Sequence, residues 1–320
     1  MYGAGAGRFG MSHFFTSAIL TATVAGGIQL AAPFLIAALG ETVGQRSGVI
    51  NLGVDGIMLL AAFGSYYTEL ETGSLALAIV VGMAVGSLMG LVTAVMSVTL
   101  KAEQGISGIG VYLFALGLSS LLFLKLVGTP LPIDQLRPVR IPLLHRIPTV
   151  GGMLFDQSIL VYVAFLLVPA VTFLLDRTTF GMNVRAAGEN PAAADSLGVS
   201  VVRIRYSAVL FGSTLAGLAG ATLLVQTGIF QENLTQSAGF IAVALVYFGA
   251  WRPAGVMGGA LLYGLTASVI LAWKGLGIIP LSVSDLAATA PAAITILALL
   301  MVARRFRQPA ALGRPYERGA

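Results

Sequence analysis

Apolar and polar positions in this chain come in long blocks, not in fine alternation. Eight stretches contain no Asp, Glu, Lys or Arg: Ser17–Leu39, Leu75–Leu100, Gly105–Leu124, Gln157–Leu175, Tyr206–Gln231, Asn233–Trp251, Pro253–Trp273 and Leu286–Ala303. A helix rises about 1.5 Å per residue, so about 20 apolar residues cross a hydrocarbon core of about 30 Å. A ninth stretch, Gly56–Thr68, is shorter and continues a polar segment. The pattern predicts an all-α polytopic membrane protein with about nine transmembrane helices, within a range of about eight to ten. Gly82, Gly86 and Gly90, and again Gly212, Ala216 and Gly220, recur every four residues. Small residues at that spacing let helix backbones approach closely.

Composition agrees. The 320 residues are 57% hydrophobic and 10% charged, with mean hydropathy +0.91, whereas soluble domains carry about 25% charged residues. The net charge of +5 follows from arginines in short loops and the tail, as the positive-inside rule expects, and nucleic acid need not be invoked. With no cysteine, disulfides, thiol catalysis and cysteine metal sites are excluded. His13 and His145 are the only histidines, too few for a histidine-rich metal site, and they lie far from any strained Gly-flanked serine that a Ser–His–Asp set would need. Gly5, Gly7 and Gly10 have the GxGxxG spacing, but no strand precedes them and no βαβ unit follows. Residues 1–16 are expected to be a flexible tail, 17–303 the transmembrane unit and 304–320 a basic cytoplasmic tail. No GxxxxGK[ST] phosphate loop exists, since Lys101, Lys125 and Lys274 each follow Leu or Trp.

The polar interruptions carry the candidate chemistry. Gly40–Phe63 holds Glu41, Arg46, Asn51 and Asp55 packed with Gly44, Gly48, Gly53 and Gly56. It is either a cytoplasmic loop with a helix start after it, or a partly re-entrant segment lining a translocation path. Glu41, Asn51 and Asp55, with Gln226, are the substrate-path candidates. Asn51 and Gln226 suit hydrogen bonds to a sugar or base, or to nearby backbone. Gly128–Asp156, broken by five prolines and carrying Arg137, Arg140 and Arg146, is placed outside by counting spans back from the tail. Arg304, Arg305 and Arg307 fix the C-terminus inside. Tyr66, Tyr67, Trp251 and Trp273 are expected as interfacial anchors.

Asn183–Arg205 falls inside and has the marks of a small folded object. Asn190 suits an N-cap, Pro191 the first helical position and Gly198 the left-handed residue that ends the turn. A helix of about two turns cannot stand alone in water, so the chain or a partner must hold it. Glu189 and Asp195 can pair with basic residues of a partner, while Ala193, Ala194 and Leu197 offer a small apolar face. A chain without a phosphate loop that moves solute against a gradient draws its energy from a partner ATPase or from an ion. The ion-coupled carrier of a small polar solute is therefore the alternative, and a membrane-embedded enzyme is weaker for want of buried charge.

RAAGENPAAADSLGVSVVRIRYSAVLFGSTLAGLAGATLL (Arg185–Leu224) resembles the cytoplasmic coupling segment and next helix of ABC-importer permeases for simple sugars, branched-chain amino acids and nucleosides. SGVINLGVDGIMLLAAF (Ser47–Phe63) and the tail PAALGRPYERG (Pro309–Gly319) are similar to the nucleoside and simple-sugar branch. The resemblance implies that Arg185, Gly188, Glu189, Asn190, Pro191, Ala194, Asp195, Leu197 and Gly198 dock an ATPase. Ala187 and Asp195 depart from the pattern, which has a larger apolar and a basic residue there. The resemblance further implies a second permease subunit, plausibly a heterodimer. It also implies a binding lipoprotein outside the bacterial inner membrane, and an ATPase that binds ATP and magnesium, so that this chain needs no cofactor. The implied cargo is a nucleoside or a ribose-like solute.

Overall fold

The computed structural model describes residues 17–140, 142, 150–303 and 307–317. Both histidines, the glycine triplet Gly5, Gly7 and Gly10, and Arg146, Pro148, Arg304 and Arg305 lie outside the described residues. The helices are α1 (Ser17–Arg46), α2 (Val54–Thr72), α3 (Leu75–Ala94), α4 (Gln104–Leu126), α5 (Val150–Leu154), α6 (Ile159–Arg177), α7 (Thr179–Glu189), α8 (Pro191–Ser196), α9 (Val201–Thr227), α10 (Ala238–Phe248), α11 (Pro253–Gly275), α12 (Ser284–Ala288) and α13 (Ala290–Ala303). Two short strands, β1 (Val139–Arg140) and β2 (Asp156–Gln157), pair antiparallel in the proline-rich segment.

Each expected apolar stretch contains a helix, but the expected count of about nine spans and the re-entrant segment are not confirmed. Among the described residues, six helices are long and apolar enough to cross a membrane: α1, α3 with its π-helical extension to Thr99, α4, α6, α9 and α11. α2 carries Asp55, Glu69 and Glu71 within its 19 residues. α10 has 11 residues, about 16 Å of helix, and α13 has 14. The shortfall at α10 has a local cause. Asn233, Gln236 and Ser237 take left-handed backbone angles, so the charge-free run spends its first residues in a turn and helix begins only at Ala238. A run without charge is not the same thing as a helix.

α9 is the most buried of the six and packs against α1, α2 and α3. The four-residue glycine spacing explains its closeness to α3. A Cβ on Gly86 would strike the Ser213 carbonyl and Gly217, so nothing larger than glycine fits where the two backbones cross. α1 meets α9 on its other side and α11 behind it. α3 and α4 keep Leu88, Leu113 and Phe114 exposed, a surface that hydrocarbon would solvate.

One end of the bundle carries Arg46, Arg185 and Arg252 and is called here the basic end. At the opposite end the proline-rich segment folds onto the end of α9, where Ile133 N–H donates to the Gly228 carbonyl at 2.8 Å. Tyr66, expected as an interfacial anchor, is instead fully buried there. Its hydroxyl donates to the Leu131 carbonyl at 2.9 Å, and its ring packs on Phe230 and Phe123. Trp251 at the basic end is likewise buried and donates its indole N–H to Gln45 Oε1 at 2.8 Å.

Candidate functional site

Between α1 and α2 the chain breaks at Ser47–Gly53, leaving backbone N–H groups without helical partners. Buried donors of that kind must find acceptors, and the polar residues of this segment supply them. Glu41 Oε1 accepts from Asn51 N–H and from Gln45 Nε2, both at 3.0 Å. Asn51 Oδ1 accepts from Gly53 N–H at 2.9 Å, and Gln104 Oε1 accepts from Ile50 N–H at 2.8 Å. Glu41 and Asn51 are thus spent on holding the break. Asp55, fully buried at the head of α2, reaches across to another broken element. Its Oδ1 accepts from Gly239 N–H in the first turn of α10 at 2.8 Å, and its Oδ2 from Thr235 Oγ1 at 3.1 Å. Of the four path candidates, Gln226 lines the cavity described below.

α7 and α8 form the polar object at the basic end. Asn190 Oδ1 accepts from Ala193 N–H at 3.0 Å, Pro191 takes the first position of α8, and Gly198 is left-handed at φ 86°. α8 has six residues. The preceding α7 is an amphipathic helix that capping arguments on Asn190 alone miss; Thr178 Oγ1 caps it by accepting from Gly181 N–H at 3.0 Å. The expected docking residues divide into three groups. Glu189, Asn190, Leu197 and Gly198 are exposed, Leu197 to 85%, while Arg185, Pro191 and Asp195 are half-buried. Gly188 and Ala194 face inward. A Cβ on Gly188 would collide with the Arg46 carbonyl at the end of α1, and Ala194 packs with Ala187 and Val201. Arg185 pairs loosely with Asp176 at 3.7 Å.

Sequence reasoning gave Arg205 and the segment 307–317 no part in building the site. Arg205 is 1% exposed and donates from Nε to the Ser47 carbonyl at 3.2 Å and from Nη1 to the Arg314 carbonyl at 2.9 Å. A cation near a helix N-terminus opposes the helix dipole, so its place in α9 is set by those carbonyls and not by helix stability. The C-terminal segment lies across the basic end as a strap. Ala311 N–H donates to the Gly188 carbonyl at 2.9 Å, and Gly313 N–H donates to the Gly48 carbonyl at 3.1 Å. Lys101 meets Glu317 at 2.8 Å. That hydrogen bond, and then the charge of Lys101, holds the Glu317 carboxyl below its ordinary range. One knot therefore joins the α1–α2 break, the end of α7, the head of α9 and the tail.

The opposite end holds a cavity of about 380 Å³ between α1, α9, α11 and the turn before α10. Phe34 and Tyr263, with ring centroids 4.6 Å apart, form part of its wall. Gln226 Nε2 donates to the Gln29 carbonyl at 2.9 Å, while its Oε1 is buried without a partner. Among the described residues no three His, Cys, Asp or Glu side chains come together as a metal site would need.

A bundle of apolar helices around one buried span, with a capped polar helix pair at its basic end, defines a polytopic membrane protein. The sequence then gives the family. Residues 23–303 match the branched-chain amino acid transport system permease component family, and the chain belongs to it. It is 33% identical over 316 residues to the guanosine ABC transporter permease protein NupQ of Bacillus subtilis, covering 94% of this chain and 98% of that one. It is 32% identical over 294 residues to the nucleoside ABC transporter permease protein NupC of Lactococcus lactis subsp. cremoris, covering 89% and 93%. It is also 38% identical over 269 residues to TsgC13 of Haloferax volcanii, provisionally described as a glucose ABC transporter permease, covering 82% and 80%. No solved structure matches the chain significantly. The chain is an ABC importer permease, and the ion-coupled alternative finds no support among these relatives.

Proposed function

We propose that this permease imports nucleosides, or a closely related ribose-containing solute, delivered by an extracytoplasmic binding lipoprotein. A separate cytoplasmic ATPase, which binds ATP and magnesium, drives it, and a second and different permease subunit completes the membrane unit. The chain itself performs no hydrolysis. In this reading residues 17–303 lie in the bacterial inner membrane, with α2, α10 and α13 adding partial or polar crossings to the six apolar spans. The basic end and residues 304–320 face the cytoplasm.

The observation that carries the reading is the exposed α7–α8 pair at the basic end, with Leu197 at its tip. The fold supplies a route from that surface inward. Closure of the ATPase pushes α7, whose Gly188 is packed against the end of α1 and tied through the strap to Gly48. The break at Ser47–Gly53 passes the displacement to α2, and Asp55 on α2 holds the head of α10. Movement at one end thus reaches the turn that walls the cavity at the other. Two measurements test this. Uptake by the assembled importer must stop in vesicles without ATP, whatever ion gradient is imposed; import driven by an ion gradient alone would overturn the reading. Leu197→Asp, at an exposed position where stability changes by less than about 0.5 kcal/mol, should abolish co-purification of the ATPase.

A further inference from the structure

We infer that the cavity between α1, α9 and α11 receives the base of a nucleoside, with Phe34 and Tyr263 as the ring platform and Gln226 as the amide that reads the base edge. The inference rests on the nucleoside reading above and deepens it. Three independent features of the cavity converge. Its volume, about 380 Å³, lies at the small end of ligand pockets, which span about 300–1,000 Å³. Its wall divides into an apolar part that includes Phe34 and Tyr263 and a polar part with Gln226, Thr227, Gln231, Thr235, Gln236 and Lys274. A free sugar carries hydroxyls all round its ring and would leave those facing the apolar part unpaired, and an unpaired buried polar group is destabilising. A nucleoside divides differently. Its flat base suits the rings, and its ribose can turn to Gln231, Thr235 and Lys274 at the rim.

The second feature is the Gln226 side chain. Its N–H donates to the Gln29 carbonyl, which fixes the orientation of the amide, and its oxygen is left buried with no partner. An acceptor held in place without a donor is what a base N–H or exocyclic amine would satisfy. The third feature is the turn that closes the cavity before α10. Asn233, Gln236 and Ser237 have φ of 56°, 43° and 71°, a region that side-chain-bearing residues adopt only when their surroundings hold them there. Asp55 does so for Gln236 and Ser237 by accepting from Thr235 and Gly239 on either side of them. Asp55 is therefore a positioning residue, acting on the cavity through Thr235.

The test is photolabelling of the assembled wild-type importer with 8-azidoguanosine, followed by peptide mapping, beside radiolabelled guanosine uptake. Label on peptides bearing Phe34, Gln226 or Tyr263, removed by excess guanosine and not by glucose, is the expected result. Label confined to other peptides while uptake proceeds overturns the cavity assignment and leaves the nucleoside reading standing, as does a cavity that takes no label because lipid fills it. A wild-type complex that imports no nucleoside overturns both. Gln226→Met and Tyr263→Leu should each lower guanosine uptake about tenfold, the effect of losing one good contact. Undiminished uptake in both variants overturns the assignment. If a variant fails to assemble, labelling of the wild type still decides.

Discussion

The two ends of the molecule solve opposite problems. At the basic end, polar groups are consumed in joining chain segments: the Arg205 guanidinium holds the Ser47 and Arg314 carbonyls, and the strap holds those of Gly188 and Gly48. At the opposite end, a turn of strained residues encloses a cavity, and an amide oxygen is left without a donor. In the proposed mechanism the basic end takes a push and must be stiff, because a soft joint would absorb the displacement. In the same reading the opposite end accepts and releases a ligand, which needs enclosed space and groups able to bind it. The contrast teaches that an unpaired polar atom is read by its surroundings, since Arg205 Nη2 is also buried without a partner but sits inside the knot, whereas Gln226 lines a cavity.

The largest expected effect is at Gly188. Because its Cβ would meet the Arg46 backbone carbonyl and not a movable side chain, Gly188→Ala should destabilise by about 1–3 kcal/mol. Gly188→Trp should leave no monodisperse protein after detergent extraction. A well-behaved Gly188→Trp would show that α7 is not seated on α1. Next comes Arg205→Met, which strips hydrogen bonds from buried carbonyls and should lower stability by about 2–3 kcal/mol. Removing residues 308–320 should act on the same knot. Thermal unfolding of the double variant should therefore fall short of the sum of the two single effects; full additivity would mean that Arg205 and the strap work independently.

At the opposite end Asp55→Ala leaves Gly239 N–H and Thr235 Oγ1 without their acceptor, at a cost of about 1–3 kcal/mol. Because the loss is local, hydrogen exchange should quicken in the first turn of α10 before it changes at the basic end. Equal acceleration at both ends would erase the contrast between them. The smallest effect belongs to Lys101→Met, since Lys101 and Glu317 are exposed. The Glu317 carboxyl is held below its ordinary range, so the contribution of the pair is complete above the ordinary carboxylate pKa of about 4.3. It is lost only as pH falls through the lowered value. Proteolysis of the strap should accordingly be flat from neutral pH down to about 5 and rise only in more acid solution, with Lys101→Met removing the rise.

What the chain declares by itself is whatever is set within a few residues. Hydropathy along a run decides that α1, α3, α4, α6, α9 and α11 are long apolar helices. The Asn190–Pro191 pair and Gly198 decide α8, because a cap and a left-handed stop act on their immediate neighbours. Glycines four apart announce a close crossing such as that of α3 on α9, though not which helix lies opposite. Tertiary structure alone decided the rest. Tyr66 and Trp251 have the composition of interfacial anchors, yet each is buried by a partner distant in sequence. Gly188 and Ala194 belong by position to the expected docking residues, yet they pack inward, Gly188 on the end of α1 and Ala194 on Ala187 and Val201. Arg205 bonds to a carbonyl 158 residues away, and Asp55 to a hydroxyl 180 residues away. Local free energies of helix, cap and turn are written in adjacent side chains, whereas a hydrogen bond between distant segments exists only once the packing of α9 against α1, α2 and α3 has brought donor and acceptor together.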